Sequence, residues 1–370
     1  MRNNNVMALI FSNMHDDALR DMTVVRSMGS IPIGGRYRLI DFTLSSLVNA
    51  GIAKVGVVTK SHYQSLMDHI GSGKAWDLSR KHEGLCFLPP FDTREDLYSG
   101  RVSALAGIGA FLQNAREEYV ILCDSHVVGN LNYDRLIEKH IASGADISIG
   151  YKRGPLPELR ENLVLTLDDG NRITDIQINE SGLRDCCFGL GTYILRRDLL
   201  VRLVSDAVSR NQMHFERDIL QRYHGDMPMH GVEVTSYAEP ICSLSSYFAV
   251  SMDFLDSRVR ADLFPAGRPI YTKVRDCAPA TYGLHSDVTD SLVADGAKIE
   301  GTVRNSIIFR DVHIERDAVV ENSVVMQGSV IRRGSMIHSV ILDKNVTIQS
   351  GRTMQGAGNY PVFISKGAVV

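Results

Sequence analysis

The chain has no long apolar run. No stretch approaches the roughly 18–20 consecutive apolar residues a membrane-spanning helix needs, and the opening run Val6–Phe11 is too short for the core of a secretory signal. Nor is there an excess of basic charge. Lysines and arginines number 40 against 43 aspartates and glutamates, a net of −3, so neither a nucleic-acid backbone nor an acidic membrane surface is implied as a partner. Cysteines are few, and none of the six (Cys86, Cys123, Cys186, Cys187, Cys242, Cys277) forms a C-x-x-C pair. Their mostly apolar contexts favour free thiols in a reducing cytoplasm over a disulfide framework or a metal set. What remains is an ordinary globular composition, 44% hydrophobic over 370 residues, with length for two domains.

The most informative absence is local. Val6-Met7-Ala8-Leu9-Ile10-Phe11 reads as a buried strand, and Ser12-Asn13-Met14-His15-Asp16-Asp17-Ala18-Leu19-Arg20-Asp21 follows it. In an α/β nucleotide-binding fold a glycine-rich turn at this place brings backbone N–H groups against a phosphate chain. Here the turn has no glycine, and Asp16, Asp17 and Asp21 would repel phosphate.

Strand and helix signals alternate through the first two-thirds. Apolar strands are predicted at Lys54–Thr59, Tyr119–Leu122 and Asp146–Tyr151, with shorter β-rich pieces at Leu163–Leu167, Ile173–Ile178 and Gly191–Leu195. Helices are predicted at Ile40–Asn49, Tyr63–His69, Val102–Gln113, Tyr133–Ser143, Arg197–Arg210 and His214–Tyr223, with an irregular stretch through Pro89-Pro90. This alternation implies an α/β domain with a doubly wound, mostly parallel sheet and ligands at its C-terminal strand ends. Leu244–Phe264 reads as mostly helical, and Pro265–Tyr282, with its three prolines, as a linker. The organisation is therefore an α/β domain over 1–264, a linker over 265–285 and a second domain over 286–370.

That second domain has a different period. Aliphatic residues fall at Ile308, Ile314 and Val320, then Val325, Ile331 and Ile337, then Leu342 and Ile348. Steps of six are closed by steps of five, so the register returns every 17 residues. No helix has that period. Short strands on the three faces of a triangular parallel β-helix do, with each column of aliphatic side chains stacking inward. Such a solenoid exposes its ends and flat faces, which favours oligomerisation through it.

Gly34-Gly35-Arg36-Tyr37-Arg38-Leu39-Ile40-Asp41-Phe42-Thr43-Leu44-Ser45, with Asn49-Ala50-Gly51-Ile52 after it, resembles a long signature of bacterial glucose-1-phosphate adenylyltransferases. Leu88-Pro89-Pro90, Tyr98-Ser99-Gly100, Gly191-Thr192-Tyr193 and Phe215-Glu216-Arg217-Asp218-Ile219-Leu220 fall in family order. The resemblance extends to the C-terminal domain, implying a left-handed parallel β-helix. It also implies sugar-phosphate nucleotidyl transfer: glucose 1-phosphate attacks the α-phosphorus of ATP, and pyrophosphate leaves, in glycogen precursor synthesis.

Set against the family pattern, the chemistry is missing. The family places G-G-x-G-T-R-L after its first strand, where this chain has Ser12–Arg20. Its lysine-proline pair aligns with Met28-Gly29. Of its two Mg²⁺ aspartates, one aligns with Ser125 of Cys123-Asp124-Ser125-His126 and the other matches Asp218. The sugar-phosphate lysine falls near Asn179, and the R-G-T-A strip around the adenine pocket reads Ser99-Gly100-Arg101-Val102. One lost preorganised donor costs about 3–4 kcal/mol of transition-state stabilisation, so the combined losses leave little rate even with strong non-additivity.

The resemblance is thus to the accessory, GlgD-type branch of the family, inactive alone and regulatory. Tyr98, Gly100, Gly191 and Asp218 are remnants of a substrate pocket, with no catalytic or metal-ligating residue assigned. No cofactor is assigned to this chain, and Mg²⁺ belongs to a catalytic partner. That partner is a catalytic glucose-1-phosphate adenylyltransferase subunit in a mixed oligomer, a tetramer by resemblance.

Arg26 and Arg38 align with the sheet–β-helix junction where the family binds phosphorylated effectors. Val25 and Pro32 replace two further family positions there, and local pairing of the two arginines with carboxylates is an equal reading. An active enzyme with displaced residues, including Asp124 swinging onto a metal, and a homo-oligomeric sugar-nucleotide or effector sensor are the alternatives. His313 and His338 read as surface or interface histidines, Cys186-Cys187 as packing residues and Arg332-Arg333 as a solvated turn.

Overall fold

The computed structural model describes residues 5–80, 83–89, 100–159, 161–357 and 360–370. Nine strands form the main sheet. They are β1 (Val6–Phe11), β2 (Lys54–Val58), β3 (Gly84–Leu88), β4 (Tyr119–Asp124), β5 (Ile147–Gly154), β6 (Leu163–Leu167), β7 (Ile173–Ile178), β8 (Cys186–Arg196) and β9 (Met229–Glu233). The spatial order β4-β1-β2-β3 is parallel throughout. The long β8 then pairs antiparallel with β4, β5 and β6, and β9 closes on β5 in parallel.

β1 is buried on both faces, as a central parallel strand must be. Met7, Leu9 and Phe11 enter one hydrophobic core, and Val6, Ala8 and Ile10 enter the other. The chain runs outward from β1 through β2 to β3 and then crosses back to place β4 on the other side of β1, so the C-terminal ends of β1 and β4 flank a topological switch point. Phe11 is in register with Asp124 there.

The helices follow local signals. α1 spans Leu39–Asn49, α2 Arg101–Gly107 and α3 Tyr133–Ser143. In α3 the Asn132 side chain accepts a hydrogen bond from the Arg135 N–H at 3.2 Å, capping the start. Tyr133, Leu136, Ile137 and His140 form its buried face at helical spacing, and Gly144 ends it at φ 63°. The single helix expected over Val102–Gln113 is instead broken at Ile108 into α2 and Gly109–Gln113. Glu216–Gln221 is a π-helix, a form found often at functional sites.

The C-terminal third forms three five-stranded sheets with parallel neighbours. Ile314, Ile331 and Ile348 stack in one column, Val320 and Ile337 in the second, and Ile308, Val325 and Leu342 in the third, as the 17-residue register predicts. All eight enter one core. Corners recur at the same period. Asn305, Asn322 and Ser339 adopt positive φ in one series, and Asp311, Gly328 and Asn345 in another. The Asn322 amide bonds Asn305 on one side and Ser339 on the other, at 3.1 and 2.8 Å.

The segment read as a linker lies against α1 before the first short strand at Thr281–Tyr282. The Tyr271 N–H donates to Ser45 Oγ and the Asn49 amide to the Pro269 carbonyl. Ile307, Val324 and Ile341 leave the β-helix face and join Met28, Phe42 and Phe254 in a shared core. The two domains are therefore fused along an apolar seam. Among the described residues no helix is long and apolar enough to cross a membrane.

Candidate functional site

A cleft of about 500 Å³ opens at the C-terminal ends of β1 and β4. Arg101, the first residue of α2, fills its floor. Its guanidinium donates to both oxygens of Asp124 at 3.0 Å and, through Nε, to Glu216 Oε1 at 3.0 Å. It also lies over the Phe11 and Tyr193 rings, 4.5 and 5.3 Å from their centroids. The Tyr193 hydroxyl donates to the same Glu216 oxygen at 3.1 Å. Burial disfavours charge here, yet each partner keeps the other ionised. Asp124 is held below the usual carboxylate range despite its burial, by Arg101 and then His15. Arg101, fully buried, is raised by Asp124 and Glu216.

Two imidazoles border this pair. His15 Nε2 is 3.2 Å from Asp124 Oδ2, and the His15 and His126 rings lie 4.1 Å apart. Burial, with His15 and Arg101 beside it, pushes His126 well below the usual imidazole range. Gly191 makes this crowding possible. Its φ is +62°, and a Cβ there would meet Asp124 Oδ2 at 2.3 Å, so only glycine leaves room for the carboxylate.

The turn after β1 is held by carboxylate rather than by phosphate. Asp16 accepts the Met28 N–H at 2.7 Å and the Asn13 amide at 2.5 Å. Burial pushes the Asp16 carboxyl up to about 6, against those two hydrogen bonds. A phosphate oxygen seeking the same backbone N–H would meet an acid already in place.

The Mg²⁺ that the family pattern implies does not fit these residues. Mg²⁺ demands near-octahedral oxygen ligands. The groups around Asp124 are the imidazoles of His15 and His126 and the guanidinium of Arg101 rather than further oxygen ligands, and Ser125 is buried against the backbone at Gly29. Asp218 does not line the cleft. It accepts the Met213 and His214 N–H groups at 3.0 and 2.9 Å and pairs with Arg217. Glu216, two residues earlier, is the acid that faces the cleft.

Of the other pocket residues expected from sequence, Tyr98 lies outside the described residues. Gly100 starts α2 where a Cβ would come within 2.2 Å of the Met213 carbonyl oxygen, and it borders a neighbouring cavity with Ser12 and Thr59. Of the described members of the set, Gly191 alone lines the main cleft. Arg101 was visible in Ser99-Gly100-Arg101-Val102, but nothing in that string shows that its charge turns onto Asp124.

Arg26 and Arg38 both reach the domain junction, in different ways. Arg26 is buried, and its Nη2 donates to Asp343 Oδ2 of the β-helix at 2.6 Å. Arg38 donates to the carbonyl and hydroxyl of Ser65 at 2.5 and 2.9 Å and borders a cavity of about 30 Å³. Arg36, Lys273, Arg275, Arg310 and Lys344 line it too. Burial pushes Lys344 down to about 7, with Arg38 and Arg26 adding repulsion. Burial likewise lowers Arg38 to about 10.

Comparison with known proteins places this geometry. A nucleotidyl transferase model matches residues 17–257, and a model described as GlmU-like, C-terminal hexapeptide matches residues 278–357. The hexapeptide match and the three parallel sheets agree with a left-handed β-helix. The glycogen biosynthesis protein GlgD of Bacillus subtilis is 35% identical over 370 residues, 100% of this chain and 98% of that protein. GlgD of Geobacillus stearothermophilus is 36% identical over 84% of this chain and 82% of its own length. A glucose-1-phosphate adenylyltransferase of Thermotoga neapolitana is 31% identical over 84% of this chain and 75% of its own length.

Proposed function

We propose a regulatory role, from the premise that this chain belongs to the nucleotidyl transferase family, with GlgD proteins and glucose-1-phosphate adenylyltransferases as its relatives. In this reading it is a non-catalytic subunit in glycogen biosynthesis. It assembles in the cytoplasm with a catalytic homologue that converts ATP and glucose 1-phosphate to ADP-glucose and pyrophosphate. Mg²⁺ chemistry stays in the partner. The observation that carries the reading is the cleft floor, where Arg101 neutralises Asp124 and Glu216. With a buried arginine against both acids and imidazoles beside Asp124, the floor lacks the oxygen ligand set that a Mg²⁺–triphosphate complex takes.

The cations of the junction supply the regulatory half. Arg36, Arg38, Lys273, Arg275, Arg310 and Lys344 converge on a space suited to one phosphoryl group. The effector class in this reading is a phosphorylated small molecule whose phosphate enters that space.

The test uses the purified chain alone and mixed with the catalytic homologue. Alone, with ATP, glucose 1-phosphate and Mg²⁺, it should release pyrophosphate no faster than a blank. Mixed, it should co-elute with the partner and raise its kcat or alter its effector response. Turnover of the lone chain in the ordinary enzyme range of roughly 1–10³ per second would overturn the reading. An absence of co-elution with unchanged partner kinetics would do the same.

A further inference from the structure

We infer that His15, Asp124 and His126 form a binding site for a borderline divalent transition metal, Zn²⁺ in the first instance, at the mouth of the cleft. The three side chains come from separate stretches of backbone: the turn after β1, the end of β4 and the residue before the strand Val127–Gly129. One donor atom from each lies within 4.8 Å of the other two. His15 Nε2 and Asp124 Oδ2 are already 3.2 Å apart. Two ligands of a tetrahedral Zn²⁺, each at about 2.0–2.1 Å, stand about 3.3 Å from each other. That pair is therefore at the separation of two ligands on one ion, and the third donor, on His126, lies within 4.8 Å of both.

A second observation points the same way. His126 is 3% exposed, and its Nδ1 is fully buried with no hydrogen-bond partner. Buried polar atoms are seldom left unmatched, and an unmatched one calls for a ligand, water or ion. His126 also lines the cleft, so the orphaned imidazole sits where a cation could enter.

The donor set decides the ion. Two imidazoles and one carboxylate suit zinc, iron, cobalt or nickel and not Mg²⁺, which prefers oxygen throughout. Three protein ligands leave a coordination position open toward the cleft for water or an anion. Arg101 is the main opposing charge, but Glu216 balances it as well as Asp124. Those three groups carry one net negative charge before a cation arrives. An ionised carboxylate also has lone pairs beyond the two that Arg101 uses. A bound ion would tie the turn after β1 to β4, closing the place where a triphosphate would lie.

The experiment is a Co²⁺ titration of the full chain after removal of metals with a chelator, read by visible absorption. One Co²⁺ per chain should bind with the intense bands of four- or five-coordinate cobalt. Zn²⁺ should displace it, and a large excess of Mg²⁺ should not. Outer partners of metal ligands alone change affinity by about 10–100-fold, so His15→Ala should weaken binding at least about 10-fold. His15 is part-exposed and its side-chain contacts are with Asp124 and His126, so that variant should keep its thermal midpoint and circular dichroism. His338→Ala, in the β-helix, should bind as the parent does. No stoichiometric cobalt uptake, displacement by Mg²⁺, or uptake unchanged in His15→Ala would each overturn the site. None of these readouts depends on a partner subunit or on turnover, so the regulatory reading can fail while the site stands, and the reverse.

Discussion

The cleft and the domain junction handle charge in opposite ways. In the cleft, acids and bases are matched inside the protein: Arg101 meets Asp124 and Glu216, and little unpaired charge faces outward. At the junction, six basic side chains converge on a small space, and the acids beside it are too few to match them: Asp295 reaches Arg310 at 3.9 Å, and two others are committed elsewhere. Asp343 is taken by Arg26, and Asp41 by His69 and the Arg38 N–H. A pocket floor with one arginine against two acids has no surplus positive charge with which to hold a triphosphate. A pocket with surplus positive charge retains a reason to bind an anion. The cleft and the junction thus differ in how their charges are satisfied.

The comparison breaks most visibly if Arg101 proves dispensable. Arg101→Ala leaves Asp124 and Glu216 buried together without a cation, and breaking a buried pair in this way costs about 3–5 kcal/mol. Urea unfolding should show that loss, whereas Lys273→Ala at the junction should leave the midpoint nearly unchanged. Equal midpoints for Arg101→Ala and the parent would mean that Arg101 is not what holds the two acids in the cleft.

The Arg26–Asp343 pair is next in size. Both side chains are about 3% exposed and they join the α/β domain to the β-helix. Arg26→Ala should cost about 3 kcal/mol, at the lower end for a broken buried pair because a single acid is stranded. Replacing both members with apolar residues, Arg26→Met with Asp343→Leu, should recover much of it. Recovery in thermal unfolding would mark the pair as interdomain structure. A loss of anion binding with no loss of stability would instead return Arg26 to the effector site.

The reach of the sequence follows the range of the interactions. The β-helix columns were legible because one inward residue per strand repeats at 17, and Ile314, Ile331 and Ile348 needed no knowledge of the rest of the chain. The corners at Asn305, Asn322 and Ser339 carry the same period and could have been read as well. The missing glycines of Ser12–Asp21 were legible for the same local reason. Asp343 was not visible from Arg26, because 317 residues separate them. The junction cations come from four distant segments with no common motif, so Lys344 and Arg275 emerge only when the domains pack. Asp218 shows the limit of alignment. Its position matches a metal ligand, but its carboxylate caps the backbone at Met213 and His214, and the cleft receives Glu216 instead.

The finest test of the contrast is a single proton. Lys344 has its folded-state pKa lowered to about 7, by burial first and then by Arg38, Arg26 and Arg275, with Asp343 opposing. A lowered lysine favours folding most above its unfolded pKa of about 10.4. That contribution is lost as pH falls through about 7, where the folded chain must accept the buried charge. An anion in the junction reverses the preference, because it stabilises the ammonium form. Binding of sulfate, which does not titrate in this range, should therefore take up nearly one proton at pH 8.5, where Lys344 is mostly neutral. At pH 6 it should take up almost none, since the proton is already present. Calorimetry in buffers of different ionisation enthalpy measures that uptake directly, and Lys344→Met should abolish it while leaving weaker binding. The same titration across the cleft variants should show no change, because Arg101, Asp124 and Glu216 are matched before any ligand arrives. Proton uptake that is independent of pH, or that survives Lys344→Met, would place the anion somewhere other than the junction.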